Sequence, residues 1–335
     1  MTTAYSGDGI TFPDSTVQAT APRVGMVNRI INGDMRINQR GYTTASPLNA
    51  GAGGFLYITD RFSAYVSQTS KMTFGQSTVA PSGFINSLNA TTTTAVSVAA
   101  GDLFMFNHPI EGLNVADLGW GTANAATVTL SFWVRSSLTG TFGGALLNSA
   151  NNRSYPFTYT ISSANTWEQK SITVAGDTIG TWLTTNGVGA NVSFGLGMGS
   201  TYSGTAGAWA GTQYWSATGA TSVVGTSGAT FYITGVQLEK GSTATDFEYV
   251  DYGRQLQMCQ RYYEKLSGSG GIYGTIGNAS YVAWYFKVTK RATPTMAFAA
   301  GSVITTDYIS EDAVTGYRSG SYAYIVAGST SSAEL

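Results

Sequence analysis

From Phe55 onward the chain is written in short segments of period two. Val128, Leu130, Phe132 and Val134 alternate with polar neighbours, as do Val192, Phe194, Leu196 and Met198. Phe231, Ile233 and Gly235 form a third such row, with Tyr232, Thr234 and Val236 opposite. Alternation of this kind sets one row of side chains on a core face and the other towards solvent. Turn-forming clusters at Ser137–Gly140, Ala175–Asp177 and Thr185–Gly187 separate the segments. Strands at this spacing, with no helical pattern between them, predict an all-β antiparallel sandwich over residues 55–250.

One stretch, Tyr252–Leu266, reads as helix. Tyr252, Leu256, Cys259, Tyr263 and Leu266 are spaced 4, 3, 4 and 3 apart, the a/d seam of a coiled coil. Such a helix either covers an edge of its own sandwich or packs on sister chains. After Ser267–Gly271, a flexible joint by composition, strands resume. Val282, Trp284, Phe286 and Val288 alternate, and Thr295–Ala300 and Tyr322–Ala327 follow. A piece as small as 267–335 has difficulty burying enough surface alone, so it is expected to dock on the sandwich or on copies of itself. Residues 1–54 are mostly turn-forming.

Charge sharpens this picture. Only 10% of residues are charged, against about 25% in a typical globular protein. The 61 residues from 178 to 238 carry no Asp, Glu, Lys or Arg, yet include Trp182, Tyr202, Trp209, Tyr214, Trp215 and Tyr232. Either these are buried strands with turn-rich loops, or Thr201–Ala217 presents aromatics to sugar rings or a neighbouring chain. Aromatic faces beside neutral hydrogen-bonding groups suit uncharged ligands, which are met without desolvating ions. Tyr202, Trp209, Tyr214 and Trp215 are therefore the candidate glycan contacts. The net charge of −1, with no basic cluster, argues against nucleic acid. A single cysteine excludes an intrachain disulfide. The first residues have no signal-peptide pattern, and no run of about 18 apolar residues supports membrane insertion. Folding in a reducing cytosol is the expectation.

Candidate chemistry is sparse. His108 is the only histidine and no Gly-x-Ser-x-Gly elbow accompanies it. One His and one Cys cannot supply a usual zinc set, and there is no Walker A, dinucleotide or EF-hand pattern. No metal or cofactor is expected. Glycoside hydrolysis needs only two carboxylates; Glu111 with Asp117, or Asp246, Glu248 and Asp251, are the candidates. The second group precedes the predicted helix, where acidic side chains favour the dipole.

Several phrases resemble bacteriophage tail-fibre proteins. Ile10–Gln18 (ITFPDSTVQ) resembles a phrase near their start. Asn28–Gly41 (NRIINGDMRINQRG) with Thr59–Phe62 (TDRF) resembles the opening of their carbohydrate-binding-like jelly-roll module. Gly235–Gly241 (GVQLEKG) through Thr245–Glu248 resembles its close, and the stretch with Cys259–Tyr263 follows. Ser131–Ser137 and Gly228–Thr234 also fit. The resemblance spans about residues 8–266.

It implies a virion appendage, folded in the host cytoplasm and released by lysis. The fold is a galactose-binding-like jelly roll, the assembly a homotrimer, and the partner host surface polysaccharide, with no enzymatic activity. No catalytic residue carries across. The organisation expected is a leader, 1–27, gripping another virion protein; a jelly roll, 28–251; a linking helix, 252–266; and a C-terminal β domain, 267–335, as trimer clamp or tip. Leu256, Cys259, Tyr263 and Leu266 are the expected oligomer contacts. Two departures from the family are the short leader and the unmatched C-terminal stretch. They keep open a head fibre, capsid decoration or baseplate connector without its own receptor.

Overall fold

A computed structural model describes residues 26–267, 280–319 and 323–335 fully, and the backbone of 4–6, 9–11, 17–18, 274–276 and 279. In the leader, the short strands Ala4–Ser6, Gly9–Thr11 and Val17–Gln18 pair antiparallel. Phe12–Thr16 of the tail-fibre-like phrase, and the joint beyond Ser267, lie outside the described residues.

Two six-stranded sheets form the sandwich. In chain order its strands are β1 (Leu48–Asn49), β2 (Phe55–Thr59), β3 (Phe62–Val66), β4 (Met72–Ser77), β5 (Ser87–Thr92) and β6 (Leu103–Glu111). There follow β7 (Val128–Ser136), β8 (Gly140–Leu147), β9 (Ser154–Ile161), β10 (Glu168–Val174), β11 (Val188–Met198) and β12 (Thr230–Lys240). The first sheet runs β10-β7-β12-β5-β4-β1 and the second β9-β8-β11-β6-β3-β2. From β6 to β12 the chain passes repeatedly between the sheets, as in a jelly roll. The alternating rows face inward as the pattern predicts: Val128, Leu130, Phe132, Val134, Val192, Phe194 and Leu196 are all buried. Phe132 meets Phe194 and Tyr159 edge-on, each with ring centroids 5.0 Å apart, tying the sheets together.

Much of the opposite rows is covered too, and in β12 a register shift at Gly235 brings Val236, expected on the opposite face, into the core. Ser193, Thr129, Ser131, Thr234, Gln237 and Glu239 are also buried, because the chain covers the sheets' outer faces. Over the second sheet lies a strap, residues 199–224. Trp215 there packs on Leu103, Met105, Ala145 and Leu147. Ser193 Oγ donates to the Trp215 carbonyl at 2.7 Å, and Val224 N to the Leu196 carbonyl at 2.9 Å. Close approach needs missing side chains: a Cβ on Gly195 would stand 2.7 Å from Ser216 Oγ, and one on Gly143 2.5 Å from it. Over the first sheet, Gln237 and Glu239 hold the 245–248 segment. Thr245 N donates to Glu239 Oε1 at 2.7 Å and Glu248 N to Gln237 Oε1 at 2.8 Å.

The chain enters and leaves the sandwich side by side. Where β5 stops pairing with β12, Arg29 N donates to the Leu238 carbonyl at 2.9 Å and Asn28 Nδ2 to the Val236 carbonyl at 3.0 Å. Asn28 N closes the arrangement on Glu248 Oε2 at 2.7 Å. Gly33 is required here, since a Cβ would lie 2.1 Å from the Val236 carbonyl oxygen.

The helix α1 is shorter than its spacing predicts, Tyr252–Gln260, with Asp251 capping Arg254 N at 3.2 Å. It ends because Arg261 and Tyr262 bond Glu111, while Tyr263–Lys265 becomes a strand paired with Thr330–Ser332. The expected seam is therefore not built: Tyr263 lies in that strand and Leu266 beyond it. Cys259 is fully buried among Ile31, Ile37 and Tyr262 of the same chain, so it offers nothing to a sister chain. The C-terminal strands carry a cluster of their own, Val282, Trp284, Val314, Ala323 and Ile325. They also grip the sandwich: Asn186 Nδ2 donates to the Arg291 carbonyl at 2.8 Å, and Arg40 and buried Arg61 pair with Glu334.

Candidate functional site

Three of the four predicted aromatics keep partial exposure. Tyr202, Trp209 and Tyr214 are half-buried in the strap. Trp215 is 3% exposed with its indole beneath the strap, so it presents no ring face to a sugar; its role is core. Trp209 lies edge-on to Tyr155 at 5.3 Å, Trp182 at 5.4 Å and Trp120 at 5.7 Å. Its Nε1 donates to the Ala175 carbonyl at 2.8 Å, so the indole N–H is already engaged within the chain. Below it Arg153 clasps Asp177 through two bonds of 2.7 Å, fixing the turn that carries Trp182. Trp120 and Tyr155 stand far from the strap in sequence, and no spacing marks them as its companions. The strap surface they support is free of ionic groups from 178 to 238, and it exposes Thr201, Thr205, Thr212 and Thr218.

Four of the five candidate acids hold structural partners, and Asp246 is exposed. Glu111 is 1% exposed and receives Arg261 Nε at 3.0 Å, Arg261 Nη2 at 2.6 Å and the Tyr262 hydroxyl. Burial alone would raise its pKa, but these donors outweigh it and hold the carboxyl below the usual range. Asp117 pairs with Arg29 at 2.9 Å and Lys240 at 3.7 Å. Glu248 receives Asn28 N and Asp251 caps α1. His108 is buried, with Nε2 3.1 Å from the Ile31 carbonyl. Among the described residues, no three His, Cys, Asp or Glu side chains converge as a metal site would require, and no helix is long and apolar enough to cross a membrane.

Hollows also open on the described surface. A cleft of about 610 Å³ runs between α1 and the C-terminal strands; Leu256 and Leu266, both expected in oligomer contact, line it with Tyr252 and Lys287. A smaller pocket of about 190 Å³ is lined by Asp34, Arg36, Gly83, Phe84, Ile85 and Tyr249. Sequence reasoning missed it, since its walls come from three separated segments.

No protein-family model matches the chain, and no curated protein matches it. Solved structures of similar fold include the enzymatically active domain of tailspike protein 4 of bacteriophage CBA120, at 13% identity and TM-score 0.31, covering 64% of this chain and 22% of that one. A family 4 carbohydrate-binding module matches at 14% identity and TM-score 0.31, covering 63% of this chain and 99% of that one. A family 11 carbohydrate-binding module from Clostridium thermocellum, in complex with a β-1,3-1,4-mixed-linked tetrasaccharide, matches at 9% identity and TM-score 0.29, covering 58% of this chain and 100% of that one. At these TM-scores none of the likenesses assigns a surface or an activity to this chain.

Proposed function

We propose that the chain is a non-enzymatic, glycan-binding appendage of a bacteriophage virion, held by residues 1–27 and recognising host surface polysaccharide through the strap. One observation carries the binding surface: a sheet face covered by an uncharged segment that holds Tyr202, Trp209 and Tyr214 at partial exposure among hydroxyl groups. Neutral donors and ring faces match a neutral saccharide at little desolvation cost. The virion setting rests on the tail-fibre-like phrases, and the absence of catalysis on the internal pairing of Glu111 and Asp117. A trimer would add avidity to weak sites. Of the four expected oligomer contacts, Cys259 is buried within its own chain, whereas Leu256 and Leu266 line the open cleft beside α1.

Glycan-array binding of the purified oligomer tests the reading. Specific signal competed by free oligosaccharide is expected. Trp209→Ala or Tyr214→Ala should weaken it about ten-fold while leaving the oligomer intact. A blank array from folded oligomer moves the assignment to a connector or decoration without a receptor. Loss of capsule viscosity on incubation with the protein would instead make it a depolymerase.

A further inference from the structure

The pocket at Asp34 has a chemistry distinct from the strap. Asp34 is 3% exposed, yet its Oδ1 has no hydrogen-bond partner among the described residues. Its other oxygen, Oδ2, receives Arg36 Nε, and Arg36 Nη2 donates to the Val250 carbonyl at 2.7 Å. A buried carboxylate oxygen left without a donor is costly, and buried polar groups are paired in nearly every case. Facing the same hollow are the rings of Phe84 and Tyr249, 5.6 Å apart and tilted by 36°.

The rings are held in place. Tyr249 donates its hydroxyl to the Gly83 carbonyl at 2.5 Å, and Gly83 adopts φ +89°, which favours glycine. Phe247 braces both rings at 5.2 and 5.0 Å. Tyr249 is nevertheless 55% exposed and Ile85 67% exposed, so the aromatic wall is open to solvent although it is rigidly supported.

We infer that this pocket is a second ligand site, which takes a single sugar ring or similar polyol through paired hydroxyl groups. A hydroxyl donates to Asp34 Oδ1, supplying the missing bond, while the ligand's C–H face lies on Phe84 and Tyr249. The charge arrangement selects a neutral ligand. A cation would meet the Arg36 guanidinium and an anion would meet Asp34, whereas hydroxyls both donate and accept. Volume selects the size, because 190 Å³ falls below the roughly 300–1,000 Å³ of drug-sized sites and suits one ring at a time. The site stands apart from the strap residues and does not depend on them.

Saturation-transfer NMR of the intact protein with D-galactose, D-glucose, D-mannose and N-acetyl-D-glucosamine tests this. At least one sugar should show transfer. Tyr249→Ala and Asp34→Asn should each weaken its binding about ten-fold or more, while Trp209→Ala leaves it unchanged. Tyr249→Ala removes an exposed ring, so it keeps the test valid should Asp34→Asn fold poorly; melting temperatures identify that case. The inference is overturned if no sugar shows transfer, if Tyr249→Ala leaves transfer intact, or if tetramethylammonium or sulfate displaces the sugar. Loss of sugar binding in Trp209→Ala alone would assign the signal to the strap and likewise overturn it. Failure of array binding with retained hexose transfer would count against the strap and not against this pocket.

Discussion

His108 lies inside β6 with Phe62 edge-on at 4.7 Å and no partner for Nδ1. Nε2 must carry the proton, since it faces the Ile31 carbonyl. Burial, reinforced by the Arg61 charge, pushes its pKa down from 6.5 to about 3. The folded protein therefore keeps this imidazole neutral while the unfolded chain takes up a proton below about pH 6.5. Stability contributed by the neutral form is present above pH 6.5 and is lost as pH falls towards 3, by up to roughly 1.4 kcal/mol per pH unit. Denaturant unfolding of wild-type protein and His108→Gln from about pH 7.5 to 4.5 checks this: the variant should show the shallower pH slope, and equal slopes would place the acid sensitivity elsewhere. The same scale shows where sequence reading stops. Trp215 and Tyr214 are neighbours in one neutral stretch, yet one ring is under the strap and the other is half-exposed. Asp34 is an ordinary acidic residue in the text of Asn28–Gly41; only the fold shows that one of its oxygens lacks a donor.

The strap is the element on which the proposed binding surface rests, and glycine lets it lie close to the sheet. On β11, Ser193, Gly195 and Gly197 form the outward row, small enough for the strap to lie against the sheet. Gly195→Ala would set a Cβ 2.7 Å from Ser216 Oγ and 3.0 Å from Ser216 Cβ. We expect it to lower stability by about 1–3 kcal/mol through overpacking, and to weaken glycan binding by displacing Tyr214. Thermal melting together with array binding reads both effects. An unchanged melting temperature would mean that the strap shifts freely over the sheet. The strands themselves were legible from period two, because their inward rows are largely apolar, with His108 and Thr92 among the exceptions. The cover was not. Period two distinguishes one face from the other but says nothing of a segment that returns from elsewhere in the chain. The long uncharged stretch was its trace, since a strand buried on both faces has little place for ionised side chains. The helix misled for a related reason. Apolar spacing through Tyr263 and Leu266 continues past Gln260, but Glu111 holds the Arg261 and Tyr262 side chains and the Thr330–Ser332 strand takes the backbone of Tyr263–Lys265.

Across the whole molecule, Glu334 joins the C-terminal strands to the jelly roll. It meets Arg40 at 3.1 Å and also pairs with Arg61, whose guanidinium stacks on the Tyr262 ring at 3.8 Å. Arg61 is 1% exposed, so removing its partner leaves a buried charge uncompensated. Glu334→Gln should destabilise the protein by about 3–5 kcal/mol. Calorimetry should show the change, and an unaltered profile would mean that the Pro109 carbonyl, 2.6 Å from Arg61, suffices. This junction explains much of the tail-fibre-like text. Asn28, Asp60, Arg61, Gln237 and Glu239 are each engaged in holding segments together, so most of the polar residues of these phrases serve the fold, while Asp34 and Arg36 of the same text line the small pocket.

The adjacent entry and exit of the chain at β12 also determines how the molecule bears load. When the chain is pulled at residues 26 and 252, tension does not have to run through the strands that precede β12. It passes from Asn28 directly to Val236, Leu238 and Glu248. The sandwich therefore hangs as a closed loop beside the line of force, and its sheets are spared until that clasp gives way.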